Sequence, residues 1–338
     1  MTRAKRYAAT FAALVFVAAL AAAGWLAYYA HQPLQPAQLP LSFAVEKGSS
    51  LRSVARQMVG YGIIHEPWQF IAIAHILGQA TKIQAGSYEL IAVITPLQLL
   101  DKITRGEVSQ SQITFIEGWT FKQLRKALQD HRALKHDMSA MSDAEILQAL
   151  GLDESSPEGL FFPDTYSFQN GSSELSILRR ANLAMQARVD ELWGKRPAGL
   201  PFADPYEALI LASIIEKETG AESERAMIAA VFVNRLRLGM RLQTDPSVIY
   251  GIGDKFDGNL RKRDLSDDHP YNTYTRAGLP PTPIAMPGLA ALTAAFNPAS
   301  SPVLYFVSRG DGSSAFSASL AEHNRAVNQF QKSPKRKP

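Results

Sequence analysis

Two carboxyls two residues apart, Glu216 and Glu218, close the stretch DPYEALILASIIEKETGAESER, Asp204 to Arg225. Their chemistry depends on which way a helix turns each of them. Asp204 suits a helix cap, Pro205 a first turn, and Glu207 stands three residues after the cap, where its carboxyl can close a capping box. Gly220 is a natural terminator, so a helix of roughly 15 residues should end beside the two acids. At about 100° per residue, Glu218 falls within about 60° of Leu211, Ile214 and Ile215, while Glu216 lies about 160° away, beside Leu209 and Ala212. The helix is apolar on most sides and is expected to be buried. A carboxyl on its aliphatic side, in its last turn, is poorly solvated and near the negative end of the dipole; both effects favour the protonated form. A carboxyl that keeps its proton near neutral pH is a general acid. The competing reading of Glu218 is an ordinary helix-end carboxylate paired with an Arg or Lys.

Such an acid needs something to hold a substrate against it. Downstream the chain is dense in side chains that bind sugars, in MRLQTDPSVIYG (240–251) and HPYNTYTRAGLPPTPIAMPG (269–288). Gln243, Thr244, Asp245, Asn272 and Tyr274, with Tyr271 and Thr273 beside them, offer donors, acceptors and stacking faces, and the prolines between Pro280 and Pro287 stiffen the loop. These are read as substrate-binding loops; the plainer reading is well-ordered connections. Asp245 is the carboxylate best placed for a second catalytic role if the chemistry is hydrolytic. Phe161, Phe162, Tyr166 and Phe168 belong by default to the core. With no cysteine and seven scattered histidines, thiolate chemistry is excluded, no ligand spacing such as HExxH occurs, and neither metal nor cofactor is expected.

The elements that must position these residues follow from the pattern of the chain. Its 338 residues suggest two folded domains with appendages. The formal charge of +4 comes from 35 Lys plus Arg against 31 Asp plus Glu, with basic clusters at both ends. A nearly neutral body argues against tracking nucleic-acid phosphates. Residues 1–6 form a basic tail, and 7–30 an uncharged apolar run long enough to cross a bilayer. The basic residues before it and Trp25, Tyr28 and Tyr29 at its far end place the N-terminus in the cytoplasm and the body outside. The alternative, a signal peptide cleaved around Ala21–Gly24, fits less well, because the run exceeds a signal core and ends in bulky aromatics. Residues 31–40 read as an extended linker lifting the body off the membrane. Over 41–107 a strand, helix, helix, strand order makes a small α+β module, and 108–332 a larger mixed α/β domain. Within it, 135–153 reads as helical and polar, 172–193 as a long packing helix, and 224–237 as a second helix behind the acid; 333–338 should be disordered.

The motifs ASIIEKETG, SER, VFVNRLRLGMRLQTDPSVIYG, YNTY and GLPPTPI closely resemble the MltG (YceG-like) family of endolytic murein transglycosylases. The resemblance extends through the N-terminal run, FAVEKGSSLRSVA to IQAGSYEL, IEGWTFKQL, FFPDTY, FNPASSPVLYFVS and HN, and so covers essentially the whole chain. It implies that the second glutamate of EKET, Glu218, is catalytic. It also implies a LysM-like module near 41–107, an anchor in a bacterial inner membrane with the catalytic part periplasmic, and peptidoglycan glycan strands as substrate. The implied reaction cuts between N-acetylmuramic acid and N-acetylglucosamine within strands, leaves 1,6-anhydro ends and so limits nascent strand length. A membrane-tethered cutter of new glycan would have peptidoglycan synthases as partners. Two other readings remain: a muramidase-type hydrolase using Asp245, and a non-catalytic wall-binding scaffold.

Overall fold

Ser and Thr open most helices of this chain, and where they do the local sequence settles the boundary. Thr95, Thr120, Ser142 and Ser319 each accept from the backbone N–H three residues on, while Gln98, Gln123, Glu145 and Glu322 reach back to the cap's own N–H. These are reciprocal capping boxes, each satisfying two donors that a helix start leaves open. A computed structural model describes residues 3–218 and 221–332. In it the chain divides into two units, Met1–Ser111 with Ser167–Gly171, and Gln112–Tyr166 with Ser172–Pro338.

The first unit begins with α1 (Arg3–His31), in which Ala9–His31 is long and apolar enough to cross a membrane. Then come β1 (Leu41–Val45), α2 (Leu51–Gly60), α3 (Pro67–Ile76), β2 (Gly86–Leu90) and α4 (Pro96–Arg105). β1 and β2 pair antiparallel, Leu41 opposite Leu90 and Val45 opposite Gly86. Their inward residues Phe43, Val45, Tyr88 and Leu90 join Val54, Ala55, Met58, Phe70, Ile73, Leu99, Leu100 and Ile103 in one core. Tyr88 is wholly buried, stacks on Phe43 and donates to the Gln84 carbonyl at 2.7 Å, so its hydroxyl is satisfied. The segment 31–40 is not a free linker. Leu34 is buried in this core and donates its N–H to the Ile94 carbonyl at 2.8 Å, and Ala30 is buried beside it. An apolar side chain at Leu34 and an unpaired strand-like backbone both find partners on the module, which an extended tether would forgo. The unit also runs past 107 and takes back 167–171. Ser87 Oγ donates to the Asn170 carbonyl at 2.6 Å and Ser111 Oγ to Asn170 Oδ1 at 2.7 Å, stitching that turn to β2.

The second unit is mainly helical. β3 (Gln110–Thr114) and β5 (Thr165–Gln169) pair with each other and carry the first two of the three points at which the chain passes from one unit to the other. Between them lie α5 (Phe121–Gln129), β4 (Leu134–Lys135) and α6 (Asp143–Leu150). Only the last part of the expected 135–153 helix forms. Fully buried Glu174 accepts from the Met138 N–H at 3.1 Å and pairs with His136 Nδ1 at 2.8 Å, and Arg125 Nη2 donates to the Met141 carbonyl at 2.5 Å. These bonds hold 136–141 as a turn, and the helix starts at the Ser142 cap. Ile146, Leu147 and Leu150 are buried, so the segment is not a polar insertion. β6 (Ser172–Ser173) pairs parallel with β4 and leads into α7 (Glu174–Lys195). There follow α8 (Pro205–Glu218), α9 (Arg225–Arg237), α10 (Asp245–Ile252), α11 (Lys262–Ser266), α12 (Leu289–Phe296), β7 (Tyr305–Ser308), β8 (Ser314–Ser317) and α13 (Leu320–Val327). Among the described residues every sheet has two strands. The architecture is therefore α+β, without the layered sheet that an α/β domain would need.

Candidate active site

Helix α8 is the axis of the second unit. Asp204 Oδ1 accepts the Glu207 N–H at 2.9 Å, and the Glu207 carboxylate reaches the Ala203 N–H at 2.6 Å, one residue before the cap. Every residue from Ala208 to Ile215 is buried, with α7, α9, α10 and α12 packed around them. Even Ser213 belongs there. It donates to the Ile210 carbonyl at 2.7 Å and accepts the Ile284 N–H at 2.9 Å, pinning the proline-rich segment along the helix. The helix ends at Glu218; Gly220, expected to terminate it, lies outside the described residues.

The two acids at that end are both withdrawn from water, and their partners tell them apart. Glu216 accepts the Gly288 N–H at 2.9 Å and lies 4.0 Å from the Arg225 guanidinium. Burial raises its carboxyl above the ordinary range, with Glu117 adding to the push and the Gly288 N–H opposing it. Its surroundings are structural bonds. Glu218 instead opens on a cleft of about 480 Å³, and its Oε1 accepts from the Thr244 hydroxyl. Burial pushes its carboxyl up to about 7; the Asp245 charge adds to this, while the Thr244 hydroxyl and Arg235 pull it down. At neutral pH a large fraction of such a carboxyl carries its proton.

Thr244 is held by a buried hydroxyl cluster. Its N–H donates to Thr273 Oγ1 at 3.0 Å, and Ser247 Oγ lies 2.9 Å from both Thr273 Oγ1 and the Thr244 carbonyl. This fixes the threonine before any ligand arrives. The stretch expected as loop is here α10, with Pro246 in its first turn and Asp245 as its opening acid. That places the Asp245 charge at the positive end of a helix dipole. Tyr274 donates to Asp245 Oδ1 at 2.5 Å, and burial together with that bond raises the phenol well above its usual range. Gln243 has φ +53°, an unusual region for a side-chain-bearing residue, held by its N–H bond to the Thr273 carbonyl at 3.1 Å.

The structure thus brings Glu218, Gln243, Asp245 and Tyr274 to one cleft, with Thr244 immediately behind Glu218. Asn272 lies apart from the cleft lining. It is fully buried, its amide nitrogen donating to the Asp264, Leu265 and Asp267 carbonyls at 3.2, 3.2 and 2.7 Å and its oxygen accepting the Tyr274 N–H at 2.9 Å. It positions the loop that presents Tyr274. The opposite wall comes from Arg235, Tyr305 and Ser308, which local spacing did not single out as binding groups, and from His323, which reads from the sequence as a helix-face residue with a place at the cleft rim left open. Arg235 is buried, donates Nε to the Leu304 carbonyl and Nη1 to the Leu242 carbonyl, both at 2.7 Å, and lies over the Tyr305 ring at 5.1 Å. His323 stacks on the Tyr305 ring with centroids 5.1 Å apart, and burial and Arg235 lower its basicity. Arg235 sits in the helix read from the sequence as a second amphipathic helix, and only the fold brings β7 and α13 to it.

A carboxyl raised to about 7, backed by a locked hydroxyl and facing an open groove of aromatic, amide and guanidinium groups, has the features that general-acid chemistry on an extended polar ligand requires. Among the described residues no group of three His, Cys, Asp or Glu converges as metal ligands. Residues 43–329 match the model of the YceG-like family, and the chain belongs to that family. An endolytic murein transglycosylase of Bacillus subtilis is 30% identical over 85% of this chain and 83% of its own length. One of Streptococcus pneumoniae is 26% identical over 93% of this chain, which spans 63% of that longer relative. A crystal structure of a YceG-like protein from Listeria monocytogenes, 29% identical, superposes with a TM-score of 0.54 over 84% of this chain and 98% of that one.

Proposed function

We propose that this protein is a membrane-anchored lytic transglycosylase that cleaves the bond between N-acetylmuramic acid and N-acetylglucosamine within peptidoglycan strands. The observation that carries the reading is Glu218, a carboxyl raised to about 7 at the floor of an open polar cleft. Its relatives in Bacillus subtilis and Streptococcus pneumoniae are named endolytic murein transglycosylases, which supports the reading. Protonated Glu218 gives its proton to the glycosidic oxygen as the C1–O bond of the muramoyl residue breaks. The muramoyl 6-hydroxyl oxygen then attacks C1, and the Glu218 carboxylate takes its proton. A 1,6-anhydro end results, the acid is restored, and no water is consumed. The substrate supplies the nucleophile, so one carboxyl suffices where a hydrolase needs two. Gln243, Asp245 and Tyr274 orient the sugar at one wall, with Tyr305 and His323 facing them.

In this reading α1 is a retained span of the inner membrane with a cytoplasmic N-terminus, everything after it is periplasmic, and cutting limits the length of strands delivered by peptidoglycan synthases. The β1–α2–α3–β2 order with its antiparallel pair supports a LysM-like role for the smaller unit in holding glycan. Mass spectrometry of products from defined glycan strands is the test. Anhydro ends are expected; reducing ends carrying oxygen from labelled water would mean a hydrolase using Asp245. If Glu218→Gln released as much glycan as the parent, the protein would be a scaffold.

A further inference from the structure

The last turns of α1 do not leave the smaller unit behind. α1 packs on α3 and α4, and Trp25 stacks on Trp68 of α3, centroids 5.3 Å apart and planes within 14°. A membrane crossing takes about 20 residues at about 1.5 Å each. Counted from Ala9, the start of the apolar stretch, that length reaches the neighbourhood of Tyr28, so Trp25 lies at or just inside the headgroup level. Trp68 shares that depth through the stack. The loop after β2 is tied to the same place, because Leu34, three residues past the end of α1, bonds to the Ile94 carbonyl at 2.8 Å. Here the unit exposes large apolar side chains: Trp68 is 53% exposed, Ile91 78% and Val93 53%.

We propose that the outer face of the bilayer is itself a docking partner of the smaller unit, with Trp68, Ile91 and Val93 seated among the lipid headgroups. The inference rests on α1 being a retained span. Aromatic and aliphatic groups carried on a rigid element favour that interfacial layer, where rings keep an apolar body in lipid and a polar edge in water. Two attachments to the bilayer, a span and a patch, fix the tilt of the unit relative to the membrane, which a single helix leaves free.

The chain has no cysteine, so single nitroxide labels can be placed on the full-length protein without removing native thiols. Labels at Ile91→Cys and Val93→Cys, in nanodiscs of phosphatidylethanolamine and phosphatidylglycerol, are compared with Lys47→Cys, an exposed position at the opposite end of the β1–β2 pair. Collision with oxygen exceeding collision with a water-soluble nickel chelate is expected at 91 and 93, and the reverse at 47. A fourth label, Val17→Cys, reports the span. If Val17 reads as lipid while 91 and 93 match 47, the docking inference is overturned and the anchor stands. If Val17 reads as water, both fall.

Discussion

Glu218→Gln should make the protein inactive and, above neutral pH, more stable. In the folded chain burial raises the Glu218 carboxyl from 4.5 to about 7, so the folded state holds this proton more tightly than the unfolded state. Below the unfolded value both states are protonated and the carboxyl carries no penalty. As pH rises from about 4.5 to 7 the unfolded state ionises first, and stability falls with pH through that window. Above 7 the loss is complete, at most roughly 3 kcal/mol for a displacement of that size. Glutamine has the same shape, still accepts from the Thr244 hydroxyl and cannot ionise. Melting both proteins in the same detergent from pH 4 to 8.5 should give nearly coincident midpoints at the acid end. The variant should lead by several degrees at the alkaline end, since about 1 kcal/mol moves a domain of this size by roughly 2–4 °C. Glu158, another buried carboxyl raised to about 7, is present in both and cancels in the difference. A gap that stays constant with pH would refute the reasoning, for it would mean that Glu218 titrates as an ordinary carboxyl.

Thr244→Val removes the hydroxyl that holds the acid down, so the alkaline limb of the cleavage–pH profile should move up, by about one unit for a hydrogen bond of roughly 1.5 kcal/mol to a charged group. Asp245→Asn removes a charge that holds the acid up, and the same limb should move down. A shift in the same direction for both, read from anhydro-sugar release between pH 5 and 9, would contradict the electrostatics. Glu216→Ala strips the Gly288 N–H and Arg225 of their partner and should lower stability by about 1–3 kcal/mol in denaturant titration while leaving cleavage per folded molecule within a fewfold of the parent. Asn272→Ala should cost a comparable amount and also raise KM, because the loop bearing Tyr274 loses its staple.

The helix that bears the acid was legible because its signals are local: a cap at Asp204, a proline after it, and an apolar surface on nearly every side. Facing angles set Glu218 apart from Glu216, although both turned out withdrawn from water and their bonding partners, Thr244 against Gly288, are what distinguish them. The stretch from Asp245 to Ile252 reads as loop when its polar residues are counted and as helix when Pro246 is seen as a first-turn residue. Leu34, amid three prolines, resembles linker until a core exists to receive it. Arg235, Tyr305 and His323 lie in stretches that share the family resemblance, but nothing in their local spacing assigns Arg235 and Tyr305 to a wall, which is made by the meeting of α9, β7 and α13.

That wall has a consequence for how the protein is made. Tyr305 to Gln331 follow Glu218 well downstream in the chain. If the body is exported as it is made, as the proposed topology implies, the acid emerges before β7 and α13 are available to close its groove. A partly made copy would carry the acid and the wall of Gln243, Asp245 and Tyr274 but lack the facing wall of Tyr305 and His323.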